Sequence, residues 1–412
     1  MFDYNKAFSN SINQLKQEER YRIFATLCRD SKTFPRAKYY YNETDSKEVI
    51  LWCSNDYMGQ GCNTEVIEAM CNAAKNSGTG AGGTRNISGN TYYHKILEKK
   101  LASYHQKKAA LLFTSGYVAN EAAISSLVNA LPGCVIFSDE KNHASIIAGI
   151  KSSKAPKHIF KHNDMSDLEN LLKLYSFSTP KLIIFESVYS MDGSIGNIEA
   201  ISNLAKKYGA LTYIDEVHAV GMYGKTGAGM VEHLNCVGKI DIIQATLGKA
   251  IGSIGGYVAA NDLIIDVIRS NASGFIFTTS IPPSVAAASF ASINYLASEK
   301  GCELREKHQA NAKYLKNLLK SYNLPILDTD THIIPLIVGD AYYCRKLCTE
   351  LLERFSIYIQ PINYPTVPKG TERLRITPTP FHTQTMMDNL TAAIDTIWRE
   401  LNITQEGNKK SA

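Results

Sequence analysis

Two short stretches of this chain carry side chains that can do chemistry together: Tyr213-Ile-Asp-Glu-Val-His-Ala-Val-Gly221 and Ala245-Thr-Leu-Gly-Lys249. Each follows an apolar, β-branched run, so Asp215 and Lys249 are expected at the ends of buried strands, where an open α/β sheet binds its ligands. A lysine shielded from water can form a Schiff base with an aldehyde. A carboxylate can keep a pyridinium nitrogen protonated, so that an aromatic ring becomes an electron sink. His218, three residues beyond Asp215, adds an imidazole to the same place. Taken singly, Asp215 could be a helix cap and Lys249 a solvated side chain. Read as metal ligands, Asp215, Glu216 and His218 form a D-E-x-H run with no second ligand group at a suitable spacing, so no metal is expected.

The elements that must position these residues follow from periodicity. Between about 50 and 290, apolar runs at 110–113, 134–137, 181–185, 211–214 and 241–243 each lead through a turn into a helix or loop. That alternation predicts an α/β fold with a mostly parallel, buried central sheet. Ahead of it, Phe8, Ile12, Leu15, Tyr21 and Phe24 recur at helical spacing and predict an amphipathic helix over 4–28. Beyond Pro282-Pro283 the pattern changes to helices at 284–299 and 302–321, strands near 332–337 and 373–377, and helices near 341–355 and 383–401. The reading is an N-terminal helical arm (1–48), a large α/β domain (49–290) and a smaller C-terminal α+β domain (291–412), with a tail from Thr404 that frays.

Composition narrows the partners. The 44 basic and 39 acidic residues are scattered over 412 positions, leaving a net charge of +5 and no basic arm or stripe for nucleic acid. That small excess suits an anionic substrate and is equally the mark of an ordinary solvated surface. Nine dispersed cysteines without a CxxC pair read as reduced thiols. No apolar run is long enough to span a membrane, and the N-terminus lacks secretory or transit character, so a cytoplasmic location is expected.

Nine segments, in order along the chain, carry a resemblance: WCSNDYMG (52–59), GTGAGGTRNISG (78–89), SDEKNHASIIAGI (138–150), KHIFKHND (157–164), FESVYSMDG (185–193), YIDEVHAVGMYG (213–224), TLGKAIG (246–252), GFIFTTSIPP (274–283) and GTERLRITP (370–378). Together they resemble the α-oxoamine synthases, over nearly the whole chain. The resemblance implies the fold type I architecture of pyridoxal-phosphate enzymes, pyridoxal 5'-phosphate as cofactor and a homodimer with shared active sites. It also implies a PLP-dependent acyltransferase that condenses glycine with succinyl-CoA to give 5-aminolevulinate, the entry to haem and tetrapyrrole biosynthesis. A sister synthase using another amino acid or acyl-CoA is the alternative, and a non-catalytic binding protein on the same fold a more remote one. GTGAGGTRNISG approximates G-x-G-x-x-G, but it follows no strand directly and lacks the acidic residue some 20 positions on, which argues against a nicotinamide dehydrogenase.

By the same resemblance, Lys249 holds the cofactor and removes the glycine α-proton, Asp215 pairs with the ring nitrogen, His143 stacks on the ring and His218 binds its phenolic oxygen. Ser190 lies in a matching cofactor-binding segment. Phosphate falls to Ser115, Gly116 and Tyr117 at a helix start, with Thr246 and the pair Thr278 and Thr279 from a second subunit. Arg375 and Asn55 hold the glycine carboxylate; Arg22, Thr84 and Asn86 hold the succinyl carboxylate; Ser138, Lys157 and Thr366 are further substrate contacts. Without the resemblance, His143 reads equally as a helix-start residue, Thr278-Thr279 as strand propensity and Arg22 as a solvated side chain. The turn-rich run 363–370 is a substrate lid or a plain surface loop.

Overall fold

The apolar runs of the central region become the strands of one seven-stranded sheet: β1 (Ala109–Phe113), β2 (Val135–Asp139), β3 (Lys157–Phe160), β4 (Lys181–Glu186), β5 (Leu211–Asp215), β6 (Ile242–Thr246) and β7 (Gly256–Ala260). In this computed structural model, which describes residues 2–18 and 20–403, their order across the sheet is β1-β7-β6-β5-β4-β2-β3. The tail from Thr404 lies outside the described residues. Strands β3, β2, β4, β5 and β6 are mutually parallel, and β7 runs antiparallel to both β6 and β1.

The antiparallel strand was not anticipated, and its cause is chain length. A parallel crossover needs about a dozen residues or more, usually with a helix. The connection from Thr246 to Gly256 is too short for that, so the chain turns back on itself, pairing Gly256 with Thr246. Lys249 rides in that reversal.

Helices Gly116–Asn129, Ala144–Ser153 and Asp262–Asn271 cover one face of the sheet. The core between them is built from Leu111, Ile124, Ile136, Ile146, Ile184, Tyr213, Val258 and Ile268 among others. The start of the first helix is locally encoded: Ser115 is its N-cap, and its Oγ accepts from the Val118 N–H at 3.1 Å.

The contacts divide the chain into two units, and not at 48 and 290. The larger unit is 55–190 with 194–308. The smaller contains the residues through Ser54, Met191–Gly193 and the residues from Gln309. Residues before Ser54 are therefore not an independent arm. Helix Tyr4–Gln17 stops well short of residue 28, and strands Thr26–Arg29, Arg36–Tyr40 and Ser46–Leu51 follow it. Ile357–Tyr358 pairs in parallel with the last of these, completing a four-stranded sheet. The alternation in Arg36-Ala-Lys-Tyr-Tyr40 was the overlooked strand signal. The same unit contains a three-stranded antiparallel sheet (Ile334–Ile337, Arg373–Ile376, Pro361–Ile362) and the predicted helices Ala341–Phe355 and Gln384–Glu400. Its core gathers Trp52, Leu315, Leu336, Leu351, Leu374 and Ile394.

Gly256 marks a close approach of two segments in the large unit. A methyl there would stand 2.3 Å from the Ser115 carbonyl oxygen and 2.6 Å from the Gly116 nitrogen. Gly256→Ala is therefore expected to cost about 1–3 kcal/mol by overpacking, read as a lowered Tm; an unchanged Tm would show that the helix start gives way freely.

Two core histidines predict the acid limb of stability. His94 accepts the Thr91 N–H on Nδ1 (3.1 Å) and donates from Nε2 to the Ile281 carbonyl (2.9 Å), while His105 shares a hydrogen bond with the Tyr257 hydroxyl at 2.8 Å. Burial, aided by Arg85, lowers His94 to about 4, and burial, aided by Lys107, lowers His105 to about 3. The unfolded chain protonates both near 6.5, so below that pH it binds more protons than the folded chain. Stability is then expected to fall as pH drops from about 6.5 toward 4, by up to about 1.4 kcal/mol per pH unit for each histidine. Thermal unfolding followed between about pH 7 and about pH 5 checks this, and a flat profile contradicts it.

Candidate active site

Parallel pairing sets polar residues side by side at the carboxyl ends of the central strands. Glu186 at the end of β4 stands beside Asp215 on β5, and Asp215 beside Gln244 on β6. Asp215 is 4% exposed. Its Oδ1 accepts from the Val217 N–H (2.9 Å) and its Oδ2 from the Asn120 amide (2.8 Å). Burial pushes the Asp215 carboxyl up on balance, against the pull of these two donors and of His143 and Lys249. Both of these hydrogen-bond partners are N–H donors, the arrangement that suits an ionised carboxylate. Glu186 is held above the usual carboxylate range, first by burial and then by the charge of Asp215. A neutral Glu186 beside an ionised Asp215 is the arrangement expected of two neighbouring buried carboxyls.

His143 is the N-cap of helix Ala144–Ser153. Its backbone N–H donates to Glu186 Oε1 at 2.6 Å, and its Nδ1 accepts from the Ser145 N–H at 3.2 Å. Burial and the nearby Lys249 hold the imidazole below its ordinary pKa, with Asp215 opposing them, so the ring is neutral. The two readings of His143 are thus compatible: it caps a helix and lies within the electrostatic reach of Asp215 and Lys249.

Lys249 Nζ lies 2.8 Å from His218 Nε2. On the other side of that imidazole, Nδ1 is 2.9 Å from the Tyr57 hydroxyl, which donates its own proton to Asn55 Oδ1 at 3.0 Å. A hydroxyl has one proton to give, so Tyr57 accepts from His218, Nδ1 carries the hydrogen, and the Nε2 lone pair faces the lysine. Glu216, which the sequence placed beside these residues, turns elsewhere. Its carboxylate accepts from the Met230 and Val231 N–H groups (3.0 and 2.7 Å), and burial raises its pKa to about 7. Among the described residues no group of three or more His, Cys, Asp or Glu is placed to hold a metal.

The helix beginning at Gly116 provides an anion site. First-turn N–H groups have no intrahelical acceptor, and the dipole favours negative charge there. A methyl on Gly116 would come within 3.1 Å of Thr246 Cβ, so Ser115, Gly116 and Thr246 lie together. Thr246 donates its hydroxyl proton to the Gly255 carbonyl (2.9 Å) and accepts from the Gly248 N–H (3.1 Å), pinning the start of the lysine loop. To donate to a phosphate it must release Gly255. Tyr117 is exposed at the same helix start.

The remaining sequence candidates fall into separate places. Thr279 bridges to Thr84, and Thr84 Oγ1 donates to Asn86 Oδ1 at 2.7 Å, so Thr278-Thr279 and Thr84-Asn86 lie together in the large unit, with Asn86 and Thr279 exposed and Thr84 and Thr278 half-buried. Lys157 is exposed at the start of β3, Ser190 is half-buried, and Ser138 is 1% exposed with its oxygen accepting from Asn142 at 2.8 Å. In the smaller unit, Arg22 Nη2 reaches Thr366 Oγ1 at 3.3 Å, joining two substrate candidates that are far apart in sequence, and Arg375 is buried on its strand. Tyr57, Asn120, Ser145, Glu186 and Tyr213 were not singled out. The available signal was a polar side chain inside an apolar run, as with Asn120, or at a strand end beside Asp215, as with Glu186.

A buried carboxylate, a lysine beside an imidazole, a flat histidine and a helix start suited to an anion fit the ring nitrogen, aldehyde, ring face and phosphate of pyridoxal 5'-phosphate. The fold and site are those of a fold type I enzyme with that cofactor. Residues 47–394 match the family model described as aminotransferase class I and II. The chain is 51% identical over 397 residues to 5-aminolevulinate synthase 1 of Cereibacter sphaeroides, covering 96% of this chain and 97% of that one. It is 49% identical over 407 residues to 5-aminolevulinate synthase of Rickettsia bellii, covering 99% and 97%. A solved structure of SPT with PLP superposes with a TM-score of 0.90 at 28% identity, covering 98% of this chain and 100% of that chain. The chain belongs to the class I and II aminotransferase family and, within it, to the 5-aminolevulinate synthases.

Reduction of the cofactor-loaded protein with borohydride, followed by peptide mapping, is expected to fix the cofactor to Lys249. Folded Lys249→Ala is expected to carry no covalent label, and a label on any other lysine overturns the assignment.

Proposed function

We propose that this chain condenses glycine with succinyl-CoA, releasing CoA and CO2 and yielding 5-aminolevulinate. The observation that carries the reaction class is the meeting of Lys249 with His218, beside the buried Asp215. When bound, pyridoxal 5'-phosphate supplies an electron sink for the pair left at the glycine α-carbon. Asp215 keeps the ring nitrogen protonated, and His143 lies against the ring face. His218 holds the phenolic oxygen and orients Lys249, whose amine takes the α-proton and returns one at the end of the cycle. A carbon–carbon bond forms between the α-carbon and the thioester carbonyl, the carbon–sulfur bond breaks, and the bond to the glycine carboxylate then breaks to release CO2.

Ser115, Gly116, Tyr117, Ser190 and Thr246, with Thr278 and Thr279 of a second subunit, hold the cofactor, so the working form is a homodimer. Arg375 and Asn55 hold the glycine carboxylate. Arg22, Thr84 and Asn86 receive the succinyl carboxylate, and Ser138, Lys157 and Thr366 add acyl-CoA contacts. The contact of Arg22 with Thr366 supports this reading, since it brings together two residues, far apart in sequence, that the resemblance assigns to the substrate. No helix among the described residues is long and apolar enough to cross a membrane, and a cytoplasmic location accords with that.

CoA release measured with glycine across a series of acyl-CoAs tests the substrate. Succinyl-CoA is expected to be preferred, and a preference for an uncharged acyl chain overturns the proposal. Arg22→Ala is expected to raise KM for succinyl-CoA by about 10- to 100-fold, as for loss of one charge-assisted pair, leaving KM for glycine unchanged. Equal changes in both constants would remove Arg22 from the acyl site.

A further inference from the structure

A buried hydrogen-bonded chain links Asp215 to His143, and its centre is Asn120. The Tyr213 hydroxyl donates to Asn120 Oδ1 at 2.9 Å, which fixes the amide with its nitrogen toward the sheet end. That nitrogen donates to Asp215 Oδ2 at 2.8 Å and to Ser145 Oγ at 3.0 Å, so both amide hydrogens are used. Ser145 Oγ, already accepting from Asn120, gives its own proton to His143 Nδ1 at 2.7 Å. The Ser145 N–H points at the same nitrogen from 3.2 Å. Two donors on Nδ1 leave it no proton, so neutral His143 is the Nε2–H tautomer.

The middle of the chain is closed to water, Tyr213 being 0%, Asn120 1% and Ser145 1% exposed, and His143 at its end is exposed. It is also held by close helix packing. A methyl on Gly149, one turn after Ser145, would lie 3.0 Å from the Asn120 carbonyl oxygen and 3.1 Å from Glu121 Cα. A glycine there lets the two helices approach without pressing on the Asn120 backbone, which helps its amide reach the serine.

We infer that Asn120 is a positioning residue that locks Asp215 and His143 into one rigid unit, serving Asp215 directly and setting the orientation and tautomer of His143 through Ser145. The inference rests on the roles proposed for Asp215 and His143 at the cofactor. It predicts that the two arms of the chain separate. Asn120→Leu removes both, so the PLP dissociation constant, followed by quenching of intrinsic fluorescence in the apo protein, is expected to rise by about tenfold or more. kcat should fall by about 10- to 100-fold with KM for succinyl-CoA within about twofold of wild type. Ser145→Ala cuts only the histidine arm: PLP affinity should stay within about threefold while kcat falls by about tenfold, and Ser145→Thr should restore most of that loss.

A purely structural role would lower Tm without moving PLP affinity or kcat, and that result overturns the inference, as does a Ser145→Ala enzyme with wild-type kcat. Where Asn120→Leu fails to fold, Tyr213→Phe removes only the hydroxyl that orients the amide and is expected to weaken PLP binding in a folded protein; unchanged binding there counts against the hub. Asp215→Asn is the control on the underlying reading. If it leaves PLP affinity intact, the cofactor role of Asp215 falls, whereas loss on Asp215→Asn without loss on Asn120→Leu refutes the present inference alone.

Discussion

A carboxylate at the end of a buried strand is the constraint around which the large unit is arranged. Taking an ion out of water costs several kcal/mol unless donors replace the solvent. Asp215 receives one N–H from its own following turn and one from Asn120, on a helix that starts far upstream in sequence. That second donor is oriented by the Tyr213 hydroxyl, and Gly149 on the neighbouring helix lets the Asn120 helix lie close. Glu186, one strand over, bears the consequence: beside a fixed negative charge and out of water, its carboxyl is kept neutral and accepts from the His143 backbone.

The same economy governs the two imidazoles. His218 and His143 are given opposite tautomers by their neighbours. Tyr57, its proton committed to Asn55, accepts from His218 Nδ1, so Nε2 offers a lone pair to Lys249. Ser145 donates to His143 Nδ1, so that ring keeps its hydrogen on Nε2. One imidazole accepts from a basic amine and the other remains a neutral plate, and neither choice is intrinsic to histidine. The reversal after β6 completes the arrangement, because a short antiparallel return holds Lys249 near the strand ends, tied down by Thr246 to Gly248 and Gly255.

This explains what could be read from the sequence and what could not. β-branched runs followed by turns marked β4, β5 and β6, and the strand-end rule then brought Asp215 and Lys249 together. Antiparallel β7 escaped because its apolar run looks like any buried strand, and only the length of the preceding connection gives its direction. The strands before Ser54 escaped because Phe8, Ile12, Leu15, Tyr21 and Phe24 suggested one long helix; the helix forms, yet ends at Gln17, with Phe8 and Ile12 exposed on it. Asn120 and Ser145 were silent for a different reason. A polar residue within an apolar helix announces that it has a partner, but the partner is set by helix packing.

The residues proposed to meet the acyl group in the smaller unit are held by a different class of force. The Tyr364 ring has the Arg20 guanidinium 5.6 Å from its centre and the Lys369 ammonium at 5.4 Å, and Arg22 meets Thr366 at 3.3 Å. Exposed cation–π contacts contribute about 0.5–1 kcal/mol each, and a hydrogen bond at that length adds little. Contacts of this size between the 363–370 loop and the N-terminal segment can form and break as substrate arrives and product leaves. The buried chain through Asn120 cannot, since opening it exposes a charge and several polar groups at once. The difference in burial therefore leaves the contacts around Thr366 free to rearrange and holds Asp215 and Ser145 in place through Asn120.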